Sequence, residues 1–282
     1  MTPGKKAKKS EIKAVSGSDW TTDELEYFNV DIVCKNFEEF FGHVYTSVKL
    51  EDYEQKAAEC SVIDIESLSF DALDPRVVDY LKSAYAVSED KGNEKNIEHL
   101  VRSLLHLFEY DTGLFMIKAG STIHFKMCGK TVQATADLWV QDIPTTIKLV
   151  VVECKNIVVK DGVLGQLFAE CVAVYEDNKK RLAKIADRET MAQGRIKPPA
   201  FKEYIPGIIM YGTQPVFYKV FVTDNIVTNI SQGVGCSEKT IVEEYKLPIL
   251  KTPLNEVLLR TDKDDKEMLF KSIKAFKSIV FS

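Results

Sequence analysis

The sequence predicts an α/β fold with a mixed sheet flanked by helices. Two observations carry this. From Asn96 onward, apolar residues at helical spacing give way to short extended segments, then to a second helical stretch and further extended segments. Within that order, Leu149-Val150-Val151-Val152 is continuously apolar and mostly β-branched, which is how a strand buried on both faces reads. With 282 residues, 45% of them hydrophobic and 28% charged, the chain can bury one elaborated core with extensions.

Taken in order, residues 1–19 are rich in lysine and serine and have almost nothing to bury, so they read as a disordered basic tail. Residues 20–93 read as a helical and extended segment packing on the core. Thr21 or Thr22 caps a first helix, with Glu24 or Glu26 in its opening turn. The apolar run Phe28 to Val33 follows, then Phe37, Phe40 and Phe41 closing on Gly42. Asp74-Pro75 opens another helix through Leu81, and the polar stretch Ser88 to Asn93 reads as a loop. The core spans 94–225, where Leu100, Val101, Leu104, Leu105, Leu107 and Phe108 make one broad apolar helix face. Extended segments are expected at Phe115 to Lys118, Thr122 to Met127, Thr131 to Gln141 and, after a turn at Pro144, Ile147 to Val159. Gly165 precedes a helix that starts at Gln166, and Ile205 to Asp224 forms a second β region turning at Gly212-Thr213. Residues 226–282 read as a C-terminal extension ending in an amphipathic helix from Asp264 to Val280.

No apolar run reaches the length of a bilayer span, and the start lacks the apolar stretch of a secretory signal, so an intracellular protein is expected. The run Lys5-Lys6-Ala7-Lys8-Lys9 has the composition of a nuclear-import signal, and equally of an ordinary lysine-rich tail. Six cysteines are scattered without a CxxC pair and read as reduced thiols rather than disulfides or zinc ligands. The net charge of −5 argues against a general nucleic-acid coat, but a local basic rim can still bind phosphates. Rim candidates are Lys179, Lys180, Arg181 and Lys184, with Arg195, Lys197 and Lys202 beyond them; a solvated helix face accounts for each equally well. Nucleotide-loop, dinucleotide, zinc-protease and serine-hydrolase motifs are missing, and His99 and His106 read as structural.

The chemistry centres on Val151-Val152-Glu153-Cys154-Lys155. In a strand, residues two apart share a face, so Glu153 and Lys155 point together with Cys154 opposite. Glu11-Ile12-Lys13, Glu54-Gln55-Lys56, Glu89-Asp90-Lys91 and Glu244-Tyr245-Lys246 fit the same tripeptide pattern. Only Glu153 follows a buried-strand signature, and that context singles it out. An antiparallel hairpin turning near Pro144 would set Asp137 beside Glu153. Two adjacent carboxylates repel unless a proton or cation lies between them, and hard oxygen ligands suit Mg²⁺ or Mn²⁺. A cross-strand acid pair sharing solvent or lysines is the structural alternative.

A helix with a glutamate, a strand with an aspartate, a strand with ExK and then a helix with a glutamine together resemble the PD-(D/E)XK, restriction-endonuclease-like nuclease superfamily. The resemblance covers roughly residues 94–225, with Ala136 where the family often has proline. It implies Asp137 and Glu153 as metal ligands, the Cys154 carbonyl as a third, and Lys155 at the attacking water. It further implies Glu98 as the first-helix glutamate, with Glu94 one turn earlier as the competing choice, and Gln166 as the glutamine motif. The segment from Trp20-Thr21-Thr22 through Asn29-Val30 to Phe40-Phe41-Gly42 also resembles the opening of fungal nuclease-like proteins, including Crinkler-type effector domains. The expected function is Mg²⁺- or Mn²⁺-dependent hydrolysis of DNA, or of RNA. The alternative is a catalytically degenerate nuclease fold that binds nucleic acid or a protein partner as an effector. The sequence leaves the oligomeric state open, a homodimer among the options.

Overall fold

The computed structural model describes residues 12–60, 68–90, 92–156, 162–192, 202–248 and 263–281. After a short 3₁₀ turn at Gly17–Asp19, Thr21 caps α1 (Thr22–Tyr27) through a reciprocal box with Glu24, as its sequence predicts. Then come β1 (Val30–Cys34), α2 (Phe37–Phe41) and α3 (Asp52–Glu59). Asp74 caps α4 (Pro75–Glu89) by accepting from Arg76 N–H, and Asn93 does the same for α5 (Glu94–Leu107) through Lys95 N–H. The strands β2 (Phe115–Ala119), β3 (Thr122–Met127), β4 (Lys130–Thr135), β5 (Leu138–Asp142) and β6 (Lys148–Lys155) follow. The rest is α6 (Val163–Ala192), β7 (Ile205–Tyr211), β8 (Gln214–Val220), α7 (Asp224–Gln232), β9 (Thr240–Lys246) and α8 (Lys263–Phe281).

Alternation along the central strands builds the layers. On β6, Val150, Val152 and Cys154 face one apolar cluster, shared with α4, α5 and α8. Val151 faces the other, shared with Trp139, α6 and the β3–β4 ribbon. The seven-stranded sheet has the order β1-β9-β8-β7-β6-β5-β2, with β1/β9 and β6/β7 parallel and the remaining pairs antiparallel. It is therefore a mixed sheet with helices on both faces, and β6 lies well inside it.

Four expectations need correction. Residues 12–19 are ordered: Gly17 is buried against Ala134, and Ile12, Ala14 and Val15 pack on the second cluster. Residues 1–11, with the lysine run, lie outside the described residues. The expected single strand from Thr131 to Gln141 is two strands, because the chain leaves the ribbon at Ala136 and Asp137 to join the main sheet. Gly120 permits that crossing, donating its N–H to Asp137 O at 2.7 Å, where a Cβ would lie 2.3 Å from Ala136 O. The helix expected to begin after Gly165 contains it, because Trp20 and Thr21 cross α6 there, and a Cβ would meet Thr21 O at 2.8 Å. Finally, residues 226–282 are no appendage: β9 is an interior strand, and Phe270, Ile273 and Phe276 of α8 are buried in the first cluster.

All six cysteines are free thiols, with Cys154 and Cys171 buried. No described helix is long and apolar enough to cross a membrane.

Candidate active site

The β5–β6 hairpin brings the predicted residues together. Leu138 pairs with Val152, so the residues just outside that pair, Asp137 and Glu153, come side by side. Asp137 Oδ2 accepts from Cys154 N–H at 2.6 Å, and its carboxyl is within hydrogen-bonding reach of Glu153. A strand residue directs its N–H and C=O to the same side, so the Cys154 carbonyl also opens toward Asp137. Glu153 is fully buried, and Lys155 Nζ lies 2.8 Å from its Oε2 as an ion pair without hydrogen-bond alignment.

From the other side, α6 presents Glu170, which the sequence places on the same helix face as Gln166 without assigning it a role. Glu170 is buried among Leu167, Phe168, Cys171 and Val174, close enough to Glu153 for the Glu153 charge to raise its carboxyl. The available signal was a lone carboxylate in an otherwise apolar helical run. Gln166 donates to Glu170 Oε1 at 3.1 Å and, with Lys155, lines a cleft of about 340 Å³. It faces that cleft while Leu167, Cys171 and Val174 pack inward, the arrangement expected of a site residue.

The structure separates the two candidate glutamates of α5. Glu94 lines the cleft, and its charge reaches both Asp137 and Lys155. Glu98 does not line it, and its carboxylate instead lies 4.0 Å from Arg102. Glu94 is thus the α5 glutamate that lines the cleft, while the charge of Glu98, the expected residue, reaches the Cys154 thiol between Glu153 and Lys155.

The electrostatics follow from burial. Desolvation raises the Glu153 and Glu170 carboxyls above the usual carboxylate range, and Glu153's nearby charge raises Glu170 further. Burial also raises Asp137, against the lowering effect of the Cys154 N–H and Lys155. Burial pulls Lys155 down, but Glu153, Asp137 and Glu94 together outweigh it and keep the ammonium charged.

Both Glu153 oxygens and Glu170 Oε2 are buried and accept no hydrogen bond, Glu153 Oε2 having only the Lys155 ion pair. Orphaned buried carboxylate oxygens are costly unless a proton or cation meets them. Glu244-Tyr245-Lys246 provides an internal contrast. It too lies on a sheet strand with its glutamate buried, contrary to the expectation that Glu153 alone would. Each glutamate has a lysine ion pair at 2.8 Å, but Glu244 also accepts hydrogen bonds from Tyr218 Oη at 2.9 Å and Cys34 Sγ at 3.3 Å, one on each oxygen. Missing hydrogen bonds, rather than strand burial, distinguish Glu153.

This donor set fits a hard divalent cation: Asp137, Glu153 and the Cys154 carbonyl offer oxygen alone. Among the described residues, no three His, Cys, Asp or Glu side chains are grouped as ligands of one ion. A Mg²⁺ ion does not need three, since it keeps several waters beside one or two carboxylates. Of the expected rim, Lys179 pairs with Asp224, Lys180 with Glu176 and Arg181 with Asp177, while Lys202 donates to Ile279 O. Lys184 is exposed, and Arg195 and Lys197 lie outside the described residues. His106 pairs with Asp111, consistent with a structural role.

No protein-family model matches the chain, and no curated protein matches its sequence.

Proposed function

We propose that the chain is a metal-dependent nuclease of the PD-(D/E)XK, restriction-endonuclease-like kind, hydrolysing phosphodiester bonds of DNA or RNA. The observation that carries this reading is Glu153, a buried carboxylate that accepts no aligned hydrogen bond and has only the Lys155 ion pair on Oε2, set between Asp137 and Lys155 beside an open cleft. Asp137, Glu153 and the Cys154 carbonyl would hold Mg²⁺ or Mn²⁺. The bound ion would supply a polarised water and neutralise charge on the phosphate.

The remaining work falls to the chain's own groups. The Cys154 N–H fixes the Asp137 carboxylate, so that ligand is oriented before anything binds. Gln166 holds Glu170 in place behind Glu153. Lys155, kept as an ammonium, cannot accept a proton; it orients the attacking water or a non-bridging phosphate oxygen by donating from Nζ. Glu94 adds negative charge at the cleft and helps keep Lys155 charged.

The direct test is incubation of the pure protein with plasmid, single-stranded DNA and RNA, with Mg²⁺ or Mn²⁺ against chelator. Cleavage that needs the ion is expected. Failure to cut any of the three, with tight binding retained, would favour the degenerate nucleic-acid-binding fold instead. A second test separates the two α5 glutamates. Glu94→Gln is expected to slow single-turnover cleavage ~10-fold or more by removing charge beside Lys155, whereas Glu98→Gln should stay within about 2-fold. Equal effects from both would put Glu94 outside the site.

A further inference from the structure

A second cluster of charge lies on the α6 side of the sheet, away from the carboxylates. Lys118 of β2, His124 of β3, Lys148 of β6 and Arg181 of α6 line a cleft of about 470 Å³ together with one carboxylate, Asp177. Asp177 is shared, lying 2.6 Å from Lys148 Nζ and 2.8 Å from Arg181 Nε. Two lysines and an arginine against one carboxylate leave two formal positive charges in excess, in a chain whose formal net charge is −5. The cations feel one another: burial lowers the Lys148 ammonium most, Asp177 opposes it, and the charges of Arg181 and Lys118 add to the lowering. Like charges gathered in this way repel, and a bound anion relieves them.

The lining also indicates which anion. Ile123 is its one apolar residue among those described, and the His124 imidazole is the one ring among them, so the lining is mostly polar. The groups present are donors for phosphate oxygens. Their position suits the first cluster: Lys118 pairs with Trp139, and Trp139 pairs with Val151, two residues before Glu153 on the same face. Two strand spacings and one two-residue step place Lys118 and Glu153 ~12 Å apart at the backbone. Successive phosphates of one strand in a duplex are ~3.4 Å apart along the axis, so the cleft lies a few phosphates from the carboxylates.

We propose that this cleft holds the phosphodiester backbone of a nucleic-acid strand whose reacting phosphate lies at Asp137 and Glu153. The naming of the ligand rests on the nuclease reading; the charge and position of the cleft do not.

The test measures binding alone. Fluorescent single-stranded and duplex oligonucleotides are titrated in chelator across a salt series, with the full chain as wild type and as Lys118→Gln/Arg181→Gln. Losing two phosphate contacts should reduce the slope of log affinity against log salt by ~1.4 for the single strand or ~1.8 for the duplex, and weaken binding ~10-fold at moderate salt. The strandedness that shows the loss identifies the form bound. Lys118→Gln alone, on an exposed edge-strand position, should keep the wild-type melting curve and give about half the slope change. Lys35→Gln/Lys239→Gln, at the opposite sheet edge, should leave binding unchanged. An unchanged slope in the double variant, or no binding by the wild type, overturns the proposal. A protein that binds through this cleft yet never cleaves sinks the nuclease reading alone. One that cleaves while the double variant binds like wild type sinks the cleft alone.

Discussion

Lys155→Ala is expected to slow nucleic-acid cleavage by ~10²-fold or more while leaving the melting curve and oligonucleotide affinity close to wild type. The rate effect follows from where the ammonium sits. Lys155 is kept charged by Glu153, Asp137 and Glu94, and it lines the cleft, so removing it deletes a preorganised donor at the reacting phosphate. Affinity should barely change, because one lysine contributes only about one counterion's worth of salt-dependent binding. Stability should not fall either. Lys155 is half-buried at a strand end, and without it burial beside Glu170 favours the neutral form of the Glu153 carboxyl. Lys155→Arg serves as the companion variant: it keeps the charge but changes the donor geometry, and it should recover little activity. Wild-type cleavage by Lys155→Ala would mean that the activity belongs to another site or another protein.

Much of this site was legible because it depends on local geometry. The period of two placed Glu153 and Lys155 on one face, and a turn near Pro144 placed Asp137 opposite Glu153. What was not legible depends on packing between elements distant in sequence. Glu94 and Glu98 are one turn apart on the same side of α5, so periodicity cannot tell which lines the cleft; the packing of α5 puts Glu94 there. Glu170 joins the site only because α6 crosses β6 at that height. The break at Ala136 and Asp137 lies in a run of strand-like sequence, and it exists because Gly120 lets another backbone come close. The parallel pairing of β1 with β9 spans most of the chain, and nothing local signals it, so the C-terminal segment read as an extension. The Glu244 tripeptide makes the same point about chemistry. It is identical in pattern to the site, and only the donors contributed by β1 and β8 show that its glutamate is structural.

Glu153→Gln is expected to stabilise the chelator-treated protein at neutral pH while abolishing both cleavage and stabilisation by Mg²⁺ or Mn²⁺. Burial raises the Glu153 and Glu170 carboxyls in the folded chain, so the folded state binds protons that the unfolded state has already released. Stability is therefore complete below the ordinary carboxylate pKa of ~4.3 and falls as pH rises toward the raised folded values. Each pH unit by which one carboxyl is raised removes ~1.4 kcal/mol above that window. Glutamine in place of Glu153 carries no charge to desolvate, and its amide can donate to Glu170 or Asp137, so the decline with pH should flatten. In the wild type a divalent ion should reverse the same decline, since an ion that binds only the folded state adds ~2.7 kcal/mol at 100 times its dissociation constant. Thermal melts at several pH values, with chelator and with each ion, read all of this without any nuclease assay. A structural acid pair would behave in the opposite way: Glu153→Gln would lower the melting temperature in chelator, and added Mg²⁺ or Mn²⁺ would shift wild type and variant equally. Gain of stability with loss of ion response is the pattern expected of a carboxylate kept at a cost for a cation.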